Sequence, residues 1–120
     1  MTLSVSTQVN PIGTSLIIQT QATAVPDNDI MGGATVLYMI DIDNTVAGAS
    51  YVKLYDTAAP TVGTTDPAWI IMIPGSTRRA VAIPEGVAFV NLSMACVNAA
   101  GTGGTTSPVG GSVVVRMLTT

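Results

Sequence analysis

Short runs in which apolar and polar residues alternate follow one another along this chain, separated by segments rich in Pro, Gly, Ser and Thr. Alternation with a period of two is typical of β-strands that bury one face. The pattern predicts strands over residues 16–23, 34–43, 51–55, 68–73, 78–83, 87–98 and 112–118. No segment combines a helical period with a capping residue, so the sequence predicts an all-β protein.

The turns and the chain length indicate how these strands are arranged. The segment Ile73–Thr77 is short and contains Pro and Gly, which predicts a hairpin between the runs on either side of it. Short strands joined by Gly- and Pro-rich turns are typical of sandwiches and barrels. We therefore predict one domain over residues 15–120, a single-domain antiparallel β-sandwich of about seven strands, immunoglobulin-like or jelly-roll-like. Its large core residues are predicted to be Trp69 and Phe89.

The strand predicted over residues 34–43 ends in two acidic residues. A period of two gives it two faces, with Val36, Tyr38, Ile40 and Ile42 on one and Leu37, Met39, Asp41 and Asp43 on the other. Together with Asp27 and Asp29 from the preceding loop, Asp41 and Asp43 offer oxygen ligands for a calcium ion. The alternative, which we favour, is a strand end in solvent where acidic side chains oppose aggregation, and we predict no metal.

Charge is scarce along the whole chain. Charged residues make up 9% of it, against about 25% in typical soluble domains, while the 48% hydrophobic content is ordinary. A surface with so little charge predicts that other subunits cover much of it, and the alternative is a neutral, Thr-rich surface that is simply soluble. Four basic residues and a formal net charge of −3 do not suit a groove that follows phosphates, so we predict no direct nucleic-acid binding.

Hydropathy and the first residues bear on localisation. The mean hydropathy is +0.53, yet no stretch of about 20 residues is apolar enough to span a membrane. The segment Met1–Ser4 lacks the positively charged region of a signal peptide. We therefore expect no membrane association and a chain that remains in the cytoplasm unless it leaves as part of a larger assembly.

The chain offers few groups for catalysis. It contains no His, which removes the usual general base and excludes serine–histidine and cysteine–histidine catalysis within one chain. The single Cys96 lies in an apolar run and is predicted to be a small buried residue. Because there is no zinc ligand set and no phosphate-binding glycine loop, we predict no cofactor.

One short segment is similar to a catalytic signature. Leu54–Ala59 resembles the hydrophobic–Asp–Thr–Gly/Ala signature of homodimeric aspartic proteases, in which two Asp residues share a proton. However, Ala58 replaces the usual Gly, and the second signature of that family is not evident. We interpret Asp56 as the cap of a turn into Ala58–Pro60, and we predict that the protein is not an enzyme.

The central part of the chain resembles small structural proteins of tailed bacteriophages. The similar segments read YVKLYD, APTVGTTDP, IPG and IPEGVAF, and they begin at Tyr51, Ala59, Ile73 and Ile83. With the Gly/Thr-rich tract that follows, the resemblance spans about residues 50–108. It lies in strands and turns and carries no catalytic residues.

This resemblance implies a capsid decoration (cement) protein, a virion structural protein that binds the assembled capsid and stabilises it by bridging major capsid protein subunits. Such proteins are β-sandwiches that often form homodimers or homotrimers. The implied location is the capsid exterior, after synthesis in the host cytoplasm. The alternative is a receptor- or glycan-binding or adaptor domain of the phage tail, for which aromatic side chains are expected to be exposed.

Two segments and an adjacent pair of arginines are predicted to contact these partners. Residues 1–14 are polar, with Pro11 and Gly13 interrupting any pattern, and predict an N-terminal arm. The tract 98–111 is too poor in apolar residues to pack by itself, so we expect it to be mobile or ordered only against a partner. The predicted contact residues, which include an arginine pair, are Thr2, Leu3, Val5, Pro11, Arg78, Arg79, Thr105 and Thr106.

Overall fold

The computed structural model of the protein describes residues 3–7, 14–108 and 113–120. These residues form eight β-strands: β1 (Leu3–Thr7), β2 (Ser15–Gln19), β3 (Thr35–Asn44), β4 (Ser50–Asp56), β5 (Trp69–Ile73), β6 (Thr77–Phe89), β7 (Leu92–Val97) and β8 (Val113–Thr119). Every pairing between them is antiparallel, which confirms the predicted all-β sandwich. Within these described ranges, no helix is long and apolar enough to cross a membrane.

The strands form two sheets with interleaved connections. The larger sheet has the order β1-β2-β8-β3-β6, and the smaller sheet has the order β5-β4-β7. An isolated antiparallel bridge between Asp27 and Met94 stands beside β7, where a fourth strand of the smaller sheet would lie. If this bridge is counted as a short strand, the order is that of a jelly roll, with β1 added at the edge of the larger sheet.

The hydrophobic core lies between the two sheets. It is built from fully buried side chains at alternate positions of the central strands. These include Ile17, Leu37, Ile40, Ile42, Val115 and Met117 from the larger sheet and Val52, Leu54, Leu92, Met94 and Cys96 from the smaller one. Burial raises the pKa of the Cys96 thiol to about 12, so Cys96 is the small buried residue that the sequence predicts. Phe89 is also in the core, whereas Trp69 is half-buried at its margin.

A β-bulge in β3 changes the predicted division of its faces. The register between β3 and both neighbouring strands shifts between Leu37 and Met39. Relative to β8, Tyr38 is an extra residue that reverses the alternation at this point, so that Leu37 is fully buried on the same side as Ile40 and Ile42. The sequence predicts that Val36, Tyr38, Ile40 and Ile42 share one face. This prediction is wrong for Val36 and Tyr38, because the bulge separates them from Ile40 and Ile42.

The predicted hairpin around Ile73–Thr77 is also wrong. The strand before this segment, β5, belongs to the smaller sheet, and the strand after it, β6, belongs to the larger sheet. The buried Asn44 holds the crossing, because its Nδ2 donates to the carbonyls of Gly48 (3.0 Å), Ile73 (3.2 Å) and Pro74 (3.1 Å). The Pro-Gly turn therefore connects the two sheets at one end of the sandwich.

The strand predicted over residues 87–98 is divided in two. Residues through Phe89 belong to β6, and β7 begins at Leu92. The carboxylate of Asp56 caps the turn between them, since its Oδ1 accepts from the backbone N–H groups of Val90 (2.7 Å) and Asn91 (3.0 Å). Asp56 is thus a turn cap, but of this turn and not of the predicted turn into residues 58–60.

Part of the predicted N-terminal arm is a strand. Leu3–Thr7 pairs with β2 over its full length and forms one edge of the larger sheet. Thr2 and Pro11, two of the predicted contact residues, lie outside the described residues.

Candidate protein-binding surfaces

The first candidate surface is the edge strand β1. All five of its residues are exposed, including Leu3 (36%) and Val5 (46%). Val5 lies opposite the core residue Ile17, so it occupies the side of the sheet that faces the core. The larger sheet is two strands wider than the smaller one, which leaves this side uncovered at β1. An apolar edge strand paired on one side is a template for a strand from another chain.

The second candidate surface is the side of the larger sheet that faces away from the core, which we call the outer face. Its side chains alternate with the core residues of β2, β3, β6 and β8, and the register places them in three rows across the sheet. The apolar row is Leu16, Leu118, Met39 and Ala82, the charged row is Ile18, Arg116, Asp41 and Ala80, and the end row is Val114, Asp43 and Arg78. Except for Asp41, all of these side chains are half-buried or exposed.

The outer face differs from the usual exposed side of an antiparallel sheet. Such a side normally carries polar residues at alternate positions. Here Leu16, Ile18, Met39, Val114 and Leu118 occupy outward positions in three adjacent strands. A contiguous apolar surface of this kind typically marks a site where another protein binds.

Two of the four charged groups on the outer face, Arg78 and Asp41, are paired within the chain. The guanidinium of Arg78 binds the carboxylate of Asp41 through Nη2–Oδ2 (2.5 Å) and Nε–Oδ1 (3.0 Å). The hydrogen bonds from Arg78 hold the pKa of Asp41 below its usual value, with a further contribution from Arg116 on the adjacent strand. Arg78 itself remains largely exposed, with 59% of its side chain accessible, while the side chain of Asp41 is 11% exposed.

The acidic residues do not gather as a cation site would require. Asp27 forms the bridge to Met94 in the smaller sheet and accepts a hydrogen bond from Gln19 Nε2 (2.7 Å), away from Asp41. Burial raises the pKa of Asp27, which the hydrogen bond from Gln19 partly opposes. Within residues 3–7, 14–108 and 113–120, no three His, Cys, Asp or Glu side chains could hold a metal ion together. Asp41 is instead engaged with Arg78.

The two adjacent arginines have separate positions. Whereas Arg78 lies on the outer face, Arg79 lies opposite the core residue Ile42 on the edge strand β6. From there its Nη1 donates to the carbonyl of Met72 on β5 (2.8 Å), which connects the open edges of the two sheets. Adjacent residues of a strand point to opposite sides, but only the placement of β6 in its sheet decides which of the two arginines lies on the outer face.

Over β4 and β7, the outward side of the smaller sheet is covered by two loops, residues 57–68 and 98–108, whereas Ile70 and Met72 of the edge strand β5 are exposed on that side. Lys53 on the central strand β4 is fully buried there. Its Nζ donates to the carbonyls of Thr102 and Gly104, at 2.9 Å each. Burial lowers the pKa of Lys53, and the two carbonyls supply the partners that a buried ammonium requires. Sequence reasoning missed this residue, although a Lys inside an otherwise apolar strand of a chain with four basic residues was a signal.

The Gly/Thr-rich tract is held by its own chain, so the expectation of a mobile or partner-dependent loop is wrong for residues 98–108. Besides the bonds from Lys53, Ser107 Oγ accepts from the N–H of Ala24 (3.0 Å), and Thr102 Oγ1 bonds to Asp66 (3.2 Å). The methyl of Thr105 lies against Gly63, whose φ of 94° and lack of a side chain allow this approach. Residues 109–111 of the predicted loop lie outside the described residues.

Two buried polar atoms beneath these loops have no hydrogen-bond partner in the described part of the chain. They are the hydroxyl of Tyr55 and Oδ1 of Asp29. Tyr55 lies opposite Ser93, whose Oγ accepts from the N–H of Asp29 (2.8 Å) and donates to the carbonyl of Thr57 (2.6 Å). Burial raises the pKa of Tyr55, so the phenol is neutral at physiological pH.

Comparisons with known proteins assign no family. No protein-family model matches the chain, and no curated protein matches it. A crystal structure of CapF with the inhibitor 3-isopropenyl-tropolone is similar at 12% identity and a TM-score of 0.29. The similar region covers 97% of this chain and 30% of the CapF chain, and a likeness of this strength carries no argument about function.

Proposed function

We propose that this chain is a virion structural protein of a tailed bacteriophage, a capsid decoration protein that binds the assembled capsid and bridges neighbouring major capsid protein subunits. The observation that carries the proposal is the edge strand β1, whose apolar residues Leu3 and Val5 lie on the core side of the larger sheet and are exposed where the smaller sheet does not cover them. Because an isolated domain gains nothing from such an edge, a partner protein is the simplest reason for it.

The edge strand fits a capsid partner through strand addition. A strand from a capsid subunit that pairs with β1 supplies backbone hydrogen bonds, and its side chains cover Leu3 and Val5. Main-chain pairing of this kind needs little charge on either side, which agrees with the 9% charged content of the chain. Many copies on one particle add their contacts by multivalency, so each contact can be weak.

The loops on the smaller sheet supply rigidity to the proposed decoration protein. The bonds from Lys53 to Thr102 and Gly104 fix the tract 98–108 on the sheet. Thr105 and Thr106 are therefore presented from a held loop, where the exposed side chain of Thr106 is available to a capsid subunit. A preorganised loop binds a partner without the entropy cost of ordering it.

No observation favours the alternative of a glycan-binding tail domain. Sugar recognition by stacking needs an exposed aromatic ring. Tyr55 and Phe89 are buried, and Tyr38, Tyr51 and Trp69 are half-buried, which accounts for every aromatic residue of the chain. We therefore keep the decoration role as the proposed function.

The test compares two valines of similar exposure in a particle-binding assay. Purified Val5→Glu and the control Val25→Glu are mixed with phage particles that lack the protein, since Val25 is 63% exposed in a loop away from β1. We expect Val5→Glu to bind at least about tenfold more weakly, because a charge is placed in the buried strand pair. Particle binding by Val5→Glu equal to that of the control would reject the role of β1. A copy number in virions far below that of the major capsid protein would reject decoration itself.

A further inference from the structure

We propose that the outer face of the larger sheet binds the same face of a second copy of this chain, which gives a dimer with twofold symmetry. Symmetry-related pairs between Arg116 of one copy and Asp41 of the other lie at its centre. The inference goes beyond the proposed function, because it concerns the protein alone and does not require a capsid.

The apolar row supplies the part of the surface that gains most from burial. Leu16, Leu118 and Met39 stand side by side on three adjacent strands, and each is half-buried. A second copy that covers this row removes apolar area from water, which is the main driving force for association. The same row exposed on an isolated monomer is a continuous hydrophobic surface.

The charges of the outer face favour a second copy over other partners. Two arginines and two aspartates cancel on this face, whereas the whole chain carries a formal charge of −3. A neutral surface offers no attraction to nucleic acid or to a strongly charged protein. Two copies of a face that carries both signs meet without net repulsion, and Arg116 of each copy finds Asp41 of the other.

The order of residues along the rows selects one symmetry axis. Sheets that pack face to face keep their strands within about 30° of each other. A twofold axis parallel to the strands and between β8 and β3 exchanges these two strands, since they are neighbours in the sheet. Leu118 then faces Met39 of the second copy, and Arg116 faces Asp41 of the second copy. The apolar row thus meets the apolar row, each charge of the central row meets an opposite charge, and only in the end row does Asp43 face Val114 of the second copy.

The other in-plane axis is unfavourable. This second twofold axis runs along the charged row, perpendicular to the strands. It places the apolar row of one copy against the end row of the other. Met39 would then face Asp43 of the second copy, and in the charged row Arg116 would face Arg116 and Asp41 would face Asp41, which places like charges together. Only the axis along the strands matches both the apolar and the charged rows.

The size of the face predicts a weak dimer. Four strands at about 4.8 Å and about six residues at about 3.4 Å give a flat area of about 400 Å² on each copy. This lies below the roughly 800 Å² per partner of a standard interface, so we expect dissociation on dilution. On a particle the dimer presents two β1 edges, and bivalent attachment compensates for the weakness of each contact.

The test uses two charge reversals that are complementary to each other. Arg116→Glu and Asp41→Lys each place like charges across the proposed interface, and each variant alone is expected to sediment as a monomer at concentrations where the wild type dimerises. When the two variants are mixed, the introduced carboxylate faces the introduced ammonium and the native pair is kept, so a heterodimer is expected. Wild-type protein that stays monomeric at all concentrations would overturn the proposal, as would a mixture with no heterodimer.

A measurement on unaltered chains covers the case in which a reversal prevents folding. In a mixture of isotope-labelled and unlabelled wild-type protein, filtered NMR spectra are expected to show contacts between the methyl groups of Leu118 and Met39 on different copies. Val25→Glu is the control for an added surface charge, and it should dimerise as the wild type does. Intermolecular contacts confined to other surfaces would overturn the proposal. Because no particle is present, the result is independent of the capsid-binding test.

Discussion

The outward sides of the two sheets differ in how far loops of the same chain cover them. On β7 of the smaller sheet, the outward residues Ser93, Ala95 and Val97 are buried, because the chain's own loops cover them. On β8 of the larger sheet, the outward residues Val114, Arg116 and Leu118 are half-buried and no more. Both strands have nearly continuous apolar sequences. The described loops therefore cover the outward side of β7, whereas outward apolar residues of β8, and Ile70 and Met72 of the edge strand β5, have no such cover.

Removal of the Lys53 side chain is the most severe test of the covered side. We expect Lys53→Ala to lower the free energy of unfolding by about 3 kcal/mol, because a buried side chain is lost and the carbonyls of Thr102 and Gly104 lose their donor. Urea unfolding measures the loss, and amide exchange should accelerate within residues 98–108. Lys53→Met is the control that keeps most of the packing, so it should be less destabilising. Wild-type stability in both variants would show that the loop is held by other contacts.

A matched pair of alanines compares the two outward sides directly. Ala95 is 2% exposed beneath the loops, while Ala82 is exposed on the outer face. We expect Ala95→Leu to be destabilising by about 1–3 kcal/mol through overpacking, and Ala82→Leu to be within about 0.5 kcal/mol of the wild type. Thermal unfolding of dilute samples measures both. Equal effects at the two positions would remove the contrast between the sheets.

Lowering the pH should reduce the stability that the carboxylate of Asp41 contributes on the outer face. Its pKa is lowered in the folded protein from the ordinary 3.8, so the stability that it contributes is complete above pH 3.8 and is lost as the pH falls through the lowered pKa. We expect Asp41→Asn to lower the melting temperature slightly at neutral pH and to flatten the decline below pH 3.8. The pKa of Asp27 is raised, so its contribution has the opposite sign and is lost as the pH rises. Asp27→Asn should therefore retain the acid decline, and an unchanged profile in Asp41→Asn would contradict the role of the ion pair.

The smallest effect is expected at Tyr55. Its buried hydroxyl has no partner among the described residues, so Tyr55→Phe removes a polar group that gains nothing from the fold. We expect the free energy of unfolding to stay the same or to rise by up to about 1 kcal/mol. A clear loss of stability on denaturant unfolding would indicate that a bound water completes the site beneath the loops.

Local sequence patterns were sufficient to predict where most strands lie, but they were insufficient to predict how the strands are connected. The runs around Val52, Cys96 and Val115 were predicted because apolar residues recur at every second position, although β7 proves to be buried on both sides. The bulge at Tyr38 was not, because a single extra residue leaves the composition of the strand unchanged while it reverses the faces. The Pro-Gly turn after Ile73 fits a hairpin and a crossing between sheets equally well, and the hydrogen bonds that the distant Asn44 makes at the crossing are not visible in the local pattern.

The candidate surfaces were predicted unevenly for the same reason. Exposure of Leu3 and Val5 follows from a predicted arm, yet their place in an edge strand depends on pairing with β2. Arg78 meets Asp41 because β6 lies beside β3, a neighbour relationship that spans 37 residues of sequence. Lys53 is buried only because a loop from far along the chain returns over it. Such contacts between distant segments leave no periodic trace in the sequence.

The account rests on the claim that another protein covers the outer face and β1 in the assembled state. Hydroxyl-radical footprinting tests this most directly, by comparing side-chain modification in dilute free protein with that in intact particles. The account predicts that Met39, Leu118 and Val5 are protected in particles, while Val25 and Val90, which are 63% and 65% exposed, are modified equally in both. Modification of Met39, Leu118 and Val5 in particles at the same rate as in the free protein would contradict it.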